Sequence, residues 1–96
     1  LARETVLEVL ERERNPEVLE SALSVLQDQE SVPLEPVLKF AAATRTPTLR
    51  LQALELLSEH GKGDPRVREL LSRLARNDRD EEVREHAQSL LEDLEP

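Results

Sequence analysis

Apolar residues recur along the chain in the same register three times. Matching segments begin at Asn15, Thr46 and Asp80, and each continues for about three helical turns. Within a segment, the apolar positions fall on one arc of a helix drawn at about 100° per residue. The three arcs are Val18, Ala22, Val25 and Leu26; Leu49, Ala53, Leu56 and Leu57; and Val83, Ala87, Leu90 and Leu91. A second apolar series lies upstream of each segment, so each unit is predicted to hold two helices.

The predicted breaks between helices lie at the starts of the repeated segments. Asn15, Thr46 and Asp80 stand at N-cap positions, where a short side-chain acceptor satisfies free N–H groups, and Pro16 and Pro47 suit the first helical position. The predicted first helices cover residues 2–12, 33–43 and 65–76, and the predicted second helices cover 16–28, 47–60 and 81–94. The short connections between partners force antiparallel pairs.

Each arc is expected to pack against the first helix of its own unit. Near the middle of the arcs stands a small residue, Ala22, Ala53 or Ala87. A methyl side chain at this position lets two helix axes approach closely.

The segments from Thr46 to Leu57 and from Asp80 to Leu91 resemble HEAT repeats of the short bacterial kind. Leu49-Arg50 and Val83-Arg84 match the Val-Arg dipeptide of that family, and residues 63–68 resemble its inter-repeat turn. The resemblance implies an all-α fold, an α-α superhelix of three helix pairs and six helices. Residues 1–96 then form a single HEAT-like domain with repeats at about 1–30, 31–62 and 63–96, as part of a longer protein.

The family resemblance also implies a ladder that joins an acidic residue in each intra-repeat turn to an arginine of a neighbouring repeat. The turn positions that match this acid are Asn15, Thr46 and Asp80, and Leu19 stands at the first arginine position. Most ion pairs of this ladder are therefore expected to be missing, and Arg50 and Arg84 are expected to make only weak polar contacts.

The net charge of −8 limits the partners that the chain can have. An acidic surface repels phosphate backbones, so nucleic acid is not an expected partner. No apolar run approaches the length of a bilayer span, which argues against direct membrane insertion. The chain has no cysteine, and its sequence does not identify a compartment. We expect a soluble protein, with the cytoplasm as the favoured location.

The residues that carry chemistry elsewhere have plainer interpretations in this sequence. His60 and His86 each follow a glutamate, but neither has a second metal ligand three or four residues away. Acidic pairs such as Glu81-Glu82 stand at helix ends rather than in a cleft, where catalytic carboxyl groups usually lie. Three arginines share a stripe with Glu69 and are expected to form ion pairs within the chain: Arg66, Arg73 and Arg76. The sequence thus predicts no enzyme activity, metal or cofactor.

The outward column of the second helices suggests a binding surface. It reads Glu20, Leu51 and Glu85, which places a leucine between two acids. HEAT second helices resemble the lining of a concave surface where partners commonly dock. The candidate contact residues are therefore Glu20, Leu51, Leu54, Glu55 and Glu85.

We interpret the chain as a non-enzymatic protein-interaction or scaffolding module with an acidic concave face. Its expected partner is another protein of basic or mixed charge, and its expected state is a monomer or a weak dimer. Two alternatives stay open at this point. One is a HEAT-like unit associated with an enzyme activity such as bilin lyase, and the other is a purely structural spacer domain.

Overall fold

A computed structural model describes residues 3–94, with the side chains of residues 5–94. This part of the chain forms six α-helices and no strand. The helices are α1 (Arg3–Arg12), α2 (Pro16–Gln27), α3 (Leu34–Ala43), α4 (Pro47–His60), α5 (Pro65–Asn77) and α6 (Glu81–Leu94). Each described helix end agrees with its predicted position to within one residue. Residue 2, where the first helix is predicted to begin, lies outside the described residues.

The helices are arranged as three antiparallel pairs, α1 with α2, α3 with α4 and α5 with α6. Neighbouring pairs stack side by side, and α4 contacts both α2 and α6. The second helices α2, α4 and α6 contact one another more extensively than the first helices α1, α3 and α5 do. The side of the stack formed by the second helices is therefore the more tightly packed side.

The core runs through all three pairs and is aliphatic apart from Phe40. The small-residue column is buried, since Ala22 is 5% exposed and Ala53 and Ala87 are fully covered. The first pair departs from the expected pattern, because Val18 is 40% exposed whereas its counterparts Leu49 and Val83 are buried. The prediction that Val18 packs inside its own unit is wrong. No described pair precedes the first one, so this flank lacks the neighbour that the second and third pairs have.

The buried alanine column leads to a prediction about packing. We expect Ala53→Leu to lower the free energy of unfolding by about 1–3 kcal/mol, because extra methylene groups at a fully covered site force neighbouring side chains out of their rotamers. Ala43→Leu adds the same group at an exposed position of α3 and serves as the control. Urea denaturation followed by circular dichroism measures both variants, and equal stability of the two would contradict the expected tight seam.

The helix starts agree with the N-cap predictions in two of three cases. Asn15 Oδ1 accepts a hydrogen bond from the backbone N–H of Glu17 at 2.9 Å, and Asp80 Oδ1 accepts one from Val83 at 3.0 Å. The Thr46 side chain makes no such bond, so this part of the prediction is wrong. The turn before α4 is held instead by an arginine.

That arginine is Arg50, which joins the second pair to the third. Its guanidinium forms an ion pair with Asp78 and also donates a hydrogen bond to the backbone carbonyl of Thr44. The Asp78 side chain is 1% exposed and that of Arg50 is 17% exposed. Arg84 stands at the equivalent position in the third pair, and its Nη1 donates a hydrogen bond to the backbone carbonyl of Asp78 at 2.7 Å. Arg50 and Arg84 thus brace equivalent turns in the same way.

The expectation of weak contacts from Arg50 is therefore wrong, and so is the assigned position of the acid. The acid lies two residues before the N-cap, at the position of Asp78 rather than Asp80. The same position is occupied by Glu13 in the first turn and by Thr44 in the second. Because Thr44 carries no charge and Leu19 replaces the arginine, no equivalent ion pair joins the first two pairs.

Gly61 ends α4 without the left-handed conformation expected of a capping glycine. Its φ is −125° and its ψ is 32°. A Cβ atom at this position would lie 2.8 Å from Cγ2 of Val67 and 3.0 Å from the carbonyl oxygen of Leu57. Glycine is therefore required here for close approach between the end of α4 and the start of α5.

Candidate protein-interaction surface

The exposed side of α2, α4 and α6, which we call the second-helix face, carries most of the acidic charge of the helices. These three helices contain nine Asp and Glu residues and only two arginines. Both arginines, Arg50 and Arg84, donate hydrogen bonds to carbonyl groups of the turns. Helices α1, α3 and α5 contain five glutamates against seven Lys and Arg residues. The two sides of the stack therefore differ in the sign of their charge.

Leu51 lies near the junction of α2 and α4 and is half-buried. Part of its side chain packs against the hydrophobic core, and the rest lines an open depression of about 560 Å³. The other residues of this depression are polar or acidic: Ser24, Gln27, Asp28, Gln52 and Glu55. A leucine bordered by polar groups in a shallow depression can accept an apolar side chain while the rim contacts a polar or basic one.

Leu54 does not belong to this surface, because it is fully buried. The prediction that Leu54 contacts a partner is wrong. The equivalent residues of the other two second helices are Leu23, which is also buried, and Gln88, which is exposed. This flank of each second helix faces the following pair, so Leu54 is covered by the stack, and Gln88 belongs to the last pair described.

The remaining predicted contact residues, Glu20, Glu55 and Glu85, are exposed. Glu55 has a partner within the chain, since its Oε1 lies 2.8 Å from Nε2 of His86 on α6. Both side chains of this pair remain accessible to solvent, at 57% for Glu55 and 32% for His86. A pair this exposed contributes little to stability.

A polar contact between neighbouring second helices recurs along this face and is not among the sequence predictions. Gln52 on α4 donates through Nε2 to the carbonyl of Glu20 at 3.1 Å and to Oγ of Ser24 at 3.2 Å. His86 stands at the position equivalent to Gln52, and Glu55 at the position equivalent to Ser24. The same two columns therefore join α2 to α4 and α4 to α6. Alignment of the three units shows both columns as polar, which is the signal that could have identified the contact.

The arginine stripe of α5 differs from its prediction. Arg66 forms ion pairs with Glu35 at 2.7 Å and Asp64 at 2.8 Å rather than with Glu69. Arg73 and Arg76 form no ion pair with any described side chain, so the prediction is wrong for these two residues.

Two absences hold for the part of the chain that the structure describes. Across residues 3–94, no group of three or more His, Cys, Asp or Glu residues is arranged to hold a metal ion. None of the six helices is both long and apolar enough to cross a membrane.

Stacked antiparallel helix pairs with repeating contacts between equivalent positions define an α-solenoid protein. The family model described as HEAT repeats matches residues 3–92, and the chain belongs to the HEAT-repeat family. No curated protein and no solved structure gives a significant match to the chain. HEAT repeats generally mediate protein–protein interaction or scaffolding.

Proposed function

We propose that this chain is a non-enzymatic interaction module that presents the second-helix face to a basic protein partner. The observation that carries the proposal is the segregation of charge, with nine carboxylates and two arginines on α2, α4 and α6. Both arginines are engaged with the turns, so a partner meets a surface of one sign. Such a surface speeds association with a cationic patch and discriminates against anionic ones.

The close packing of α2, α4 and α6 supports a concave shape for this face. Where second helices approach one another more closely than first helices, a helical array curves toward the second helices. Leu51 then lies at the centre, flanked by Glu20 on α2 and Glu85 on α6. The half-buried leucine supplies apolar contact area. The glutamates around it attract a basic partner and fix its orientation on the face.

Two carboxyl groups, those of Asp64 and Glu13, have lowered pKa values, which supports a structural rather than a catalytic role for these two residues. The side-chain hydrogen bond from Arg66 holds the pKa of Asp64 below its ordinary value. Backbone N–H groups of Asn15 and Arg14 do the same for the pKa of Glu13. A general acid at neutral pH needs a carboxyl pKa displaced upward, whereas these shifts stabilise the ionised form.

We expect Leu51→Arg to abolish partner capture while leaving the fold intact. The substitution places a cation at the centre of the face, where it repels a basic partner and removes the apolar contact. Affinity capture from a lysate of the source cells, read by quantitative mass spectrometry, compares this variant with the native domain. Leu38→Arg is the matched control, because Leu38 is a half-buried leucine on the first helix α3.

Circular dichroism and thermal melting establish that each variant is folded. If Leu51→Arg does not fold, Glu20→Lys with Glu85→Lys replaces it, since both glutamates are exposed. A protein retained by the native domain and by Leu38→Arg, but lost from the second-helix variant, is the expected result. Capture of nothing by the native domain would overturn the proposal and favour a structural spacer.

A further inference from the structure

The edge of the stack formed by the three intra-pair turns carries three exposed arginines, beside the acidic residues Glu13, Asp78 and Asp80. Each turn is three residues long, and its middle residue is an arginine: Arg14, Arg45 or Arg79. All three are exposed and occupy equivalent positions at the repeat offsets. They form an arginine row along one edge of a protein whose net charge is −8.

Between the second and third turns, this edge opens into a cleft of about 590 Å³, which we call the arginine cleft. Arg45, Arg73 and Arg79 line it around the buried pair of Arg50 and Asp78. None of the three lining arginines forms an ion pair with a described side chain. The chain has 21 acidic residues against 13 basic ones, yet these guanidinium groups remain without carboxylate partners.

We propose that the arginine cleft binds an acidic segment of another protein, through carboxylate contacts to Arg45, Arg73 and Arg79. A guanidinium group presents a planar fork of donors that matches a carboxylate, and such charge-assisted bonds are stronger than neutral ones. Two carboxylates also line the cleft, Asp78 and Asp80. Both oxygens of Asp78 accept hydrogen bonds, from Arg50 and from the N–H of Asp80, and Asp80 Oδ1 accepts one from the N–H of Val83. Neither carboxylate forms an ion pair with Arg45, Arg73 or Arg79.

The spacing of the row specifies the form of the ligand. Packed helices lie about 8–10 Å apart, so successive turns of the stack should repeat at about that distance. An extended chain advances about 3.3 Å per residue, so roughly every third residue would meet an arginine of the row. The fitting ligand is therefore an extended segment with acidic residues three positions apart, two of which meet Arg45 and Arg79 of the row while another carboxylate meets Arg73 in the cleft.

The charge of the whole molecule separates this ligand from a nucleic acid. A long polyanion extends past the cleft and meets the field of a protein with net charge −8, which opposes binding. A short acidic segment contacts only the local positive region. The arginine cleft uses residues that the second-helix face does not use, so its proposal stands or falls independently of that face.

The test uses a fluorescein-labelled nine-residue peptide with Glu at positions 1, 4 and 7 in a Gly/Ser background. Fluorescence anisotropy at low ionic strength measures its binding to the native domain. Arg73→Gln with Arg79→Gln should weaken binding by at least about tenfold, because two charge-assisted hydrogen-bonding groups are lost. Arg12→Gln with Lys62→Gln removes the same charge from exposed positions outside the cleft and should change affinity by less than about twofold.

Three comparisons complete the design. The Gln analogue of the peptide should not bind, which establishes that carboxylates are recognised. Equal binding by the two double variants, or by the Gln analogue, would overturn the proposal. Tighter binding of a single-stranded oligonucleotide, lost in the cleft variant, would assign the cleft to nucleic acid instead. Sedimentation of the domain alone showing self-association that the cleft variant abolishes would assign it to a second copy of this chain.

Discussion

Replacing Asp78 by alanine is expected to lower the free energy of unfolding by about 3–5 kcal/mol, since removal of one partner leaves a largely buried guanidinium without its counter-charge. The variant also loses the acceptor for the N–H of Asp80 at the start of α6. The total stability of a small domain is only about 5–15 kcal/mol, so this loss would bring the array close to unfolding at ambient temperature. Urea denaturation at neutral pH measures the difference.

The chain supplies its own control for this prediction. The junction between the first and second pairs has Leu19 where Arg50 stands and Thr44 where Asp78 stands. The double variant Arg50→Leu with Asp78→Thr reproduces that junction and leaves no unpaired charge. We expect it to be more stable than Asp78→Ala, because an uncharged junction avoids the burial of a lone cation. A double variant as unstable as the single one would show that the ion pair itself, rather than the avoided lone charge, stabilises the junction.

Gly61→Ala is expected to destabilise the domain by about 1–3 kcal/mol through overpacking. The added methyl group would overlap Cγ2 of Val67 and press on the carbonyl oxygen of Leu57, which accepts the hydrogen bond that ends α4. A flexible side chain could move aside, but the backbone carbonyl cannot do so without breaking the last turn of the helix. Thermal unfolding followed by circular dichroism measures the effect.

Gly63→Ala is the matched control in the same loop. No heavy atom lies within 4 Å of a Cβ placed there, and the backbone has no positive φ. Alanine should therefore be tolerated and should add up to about 1 kcal/mol by restricting the unfolded chain. If Gly61→Ala were as stable as Gly63→Ala, the close approach of α4 and α5 would be looser than described.

The helices could be predicted from the sequence because local signals and periodicity agree. Prolines at positions 16 and 47, together with polar N-cap residues, mark the starts, and the apolar arcs mark the buried sides. These signals act within one helix or one turn. They therefore determine where α2 and α4 begin without knowledge of how neighbouring pairs stack.

The contacts between pairs were harder to predict, because they depend on how far a side chain reaches. The repeat register places the acid that pairs with Arg50 at the N-cap position, whereas the guanidinium contacts Asp78, two residues earlier. The sequence pattern places Leu54 at the surface, whereas in the structure it is buried because helices cover α4 on both flanks. A helical wheel orders residues around one axis and cannot show which flank a neighbouring helix covers.

Site-specific photocrosslinking to a captured partner is the most direct test of binding by the second-helix face. A photoreactive amino acid is placed at position 20 or 85 on the second helices, and at position 39 or 69 on the first helices. The native residues at all four positions are exposed. We expect partner adducts from positions 20 and 85 and few or none from positions 39 and 69. Adducts from the first helices alone would contradict the proposal that the second-helix face binds the partner.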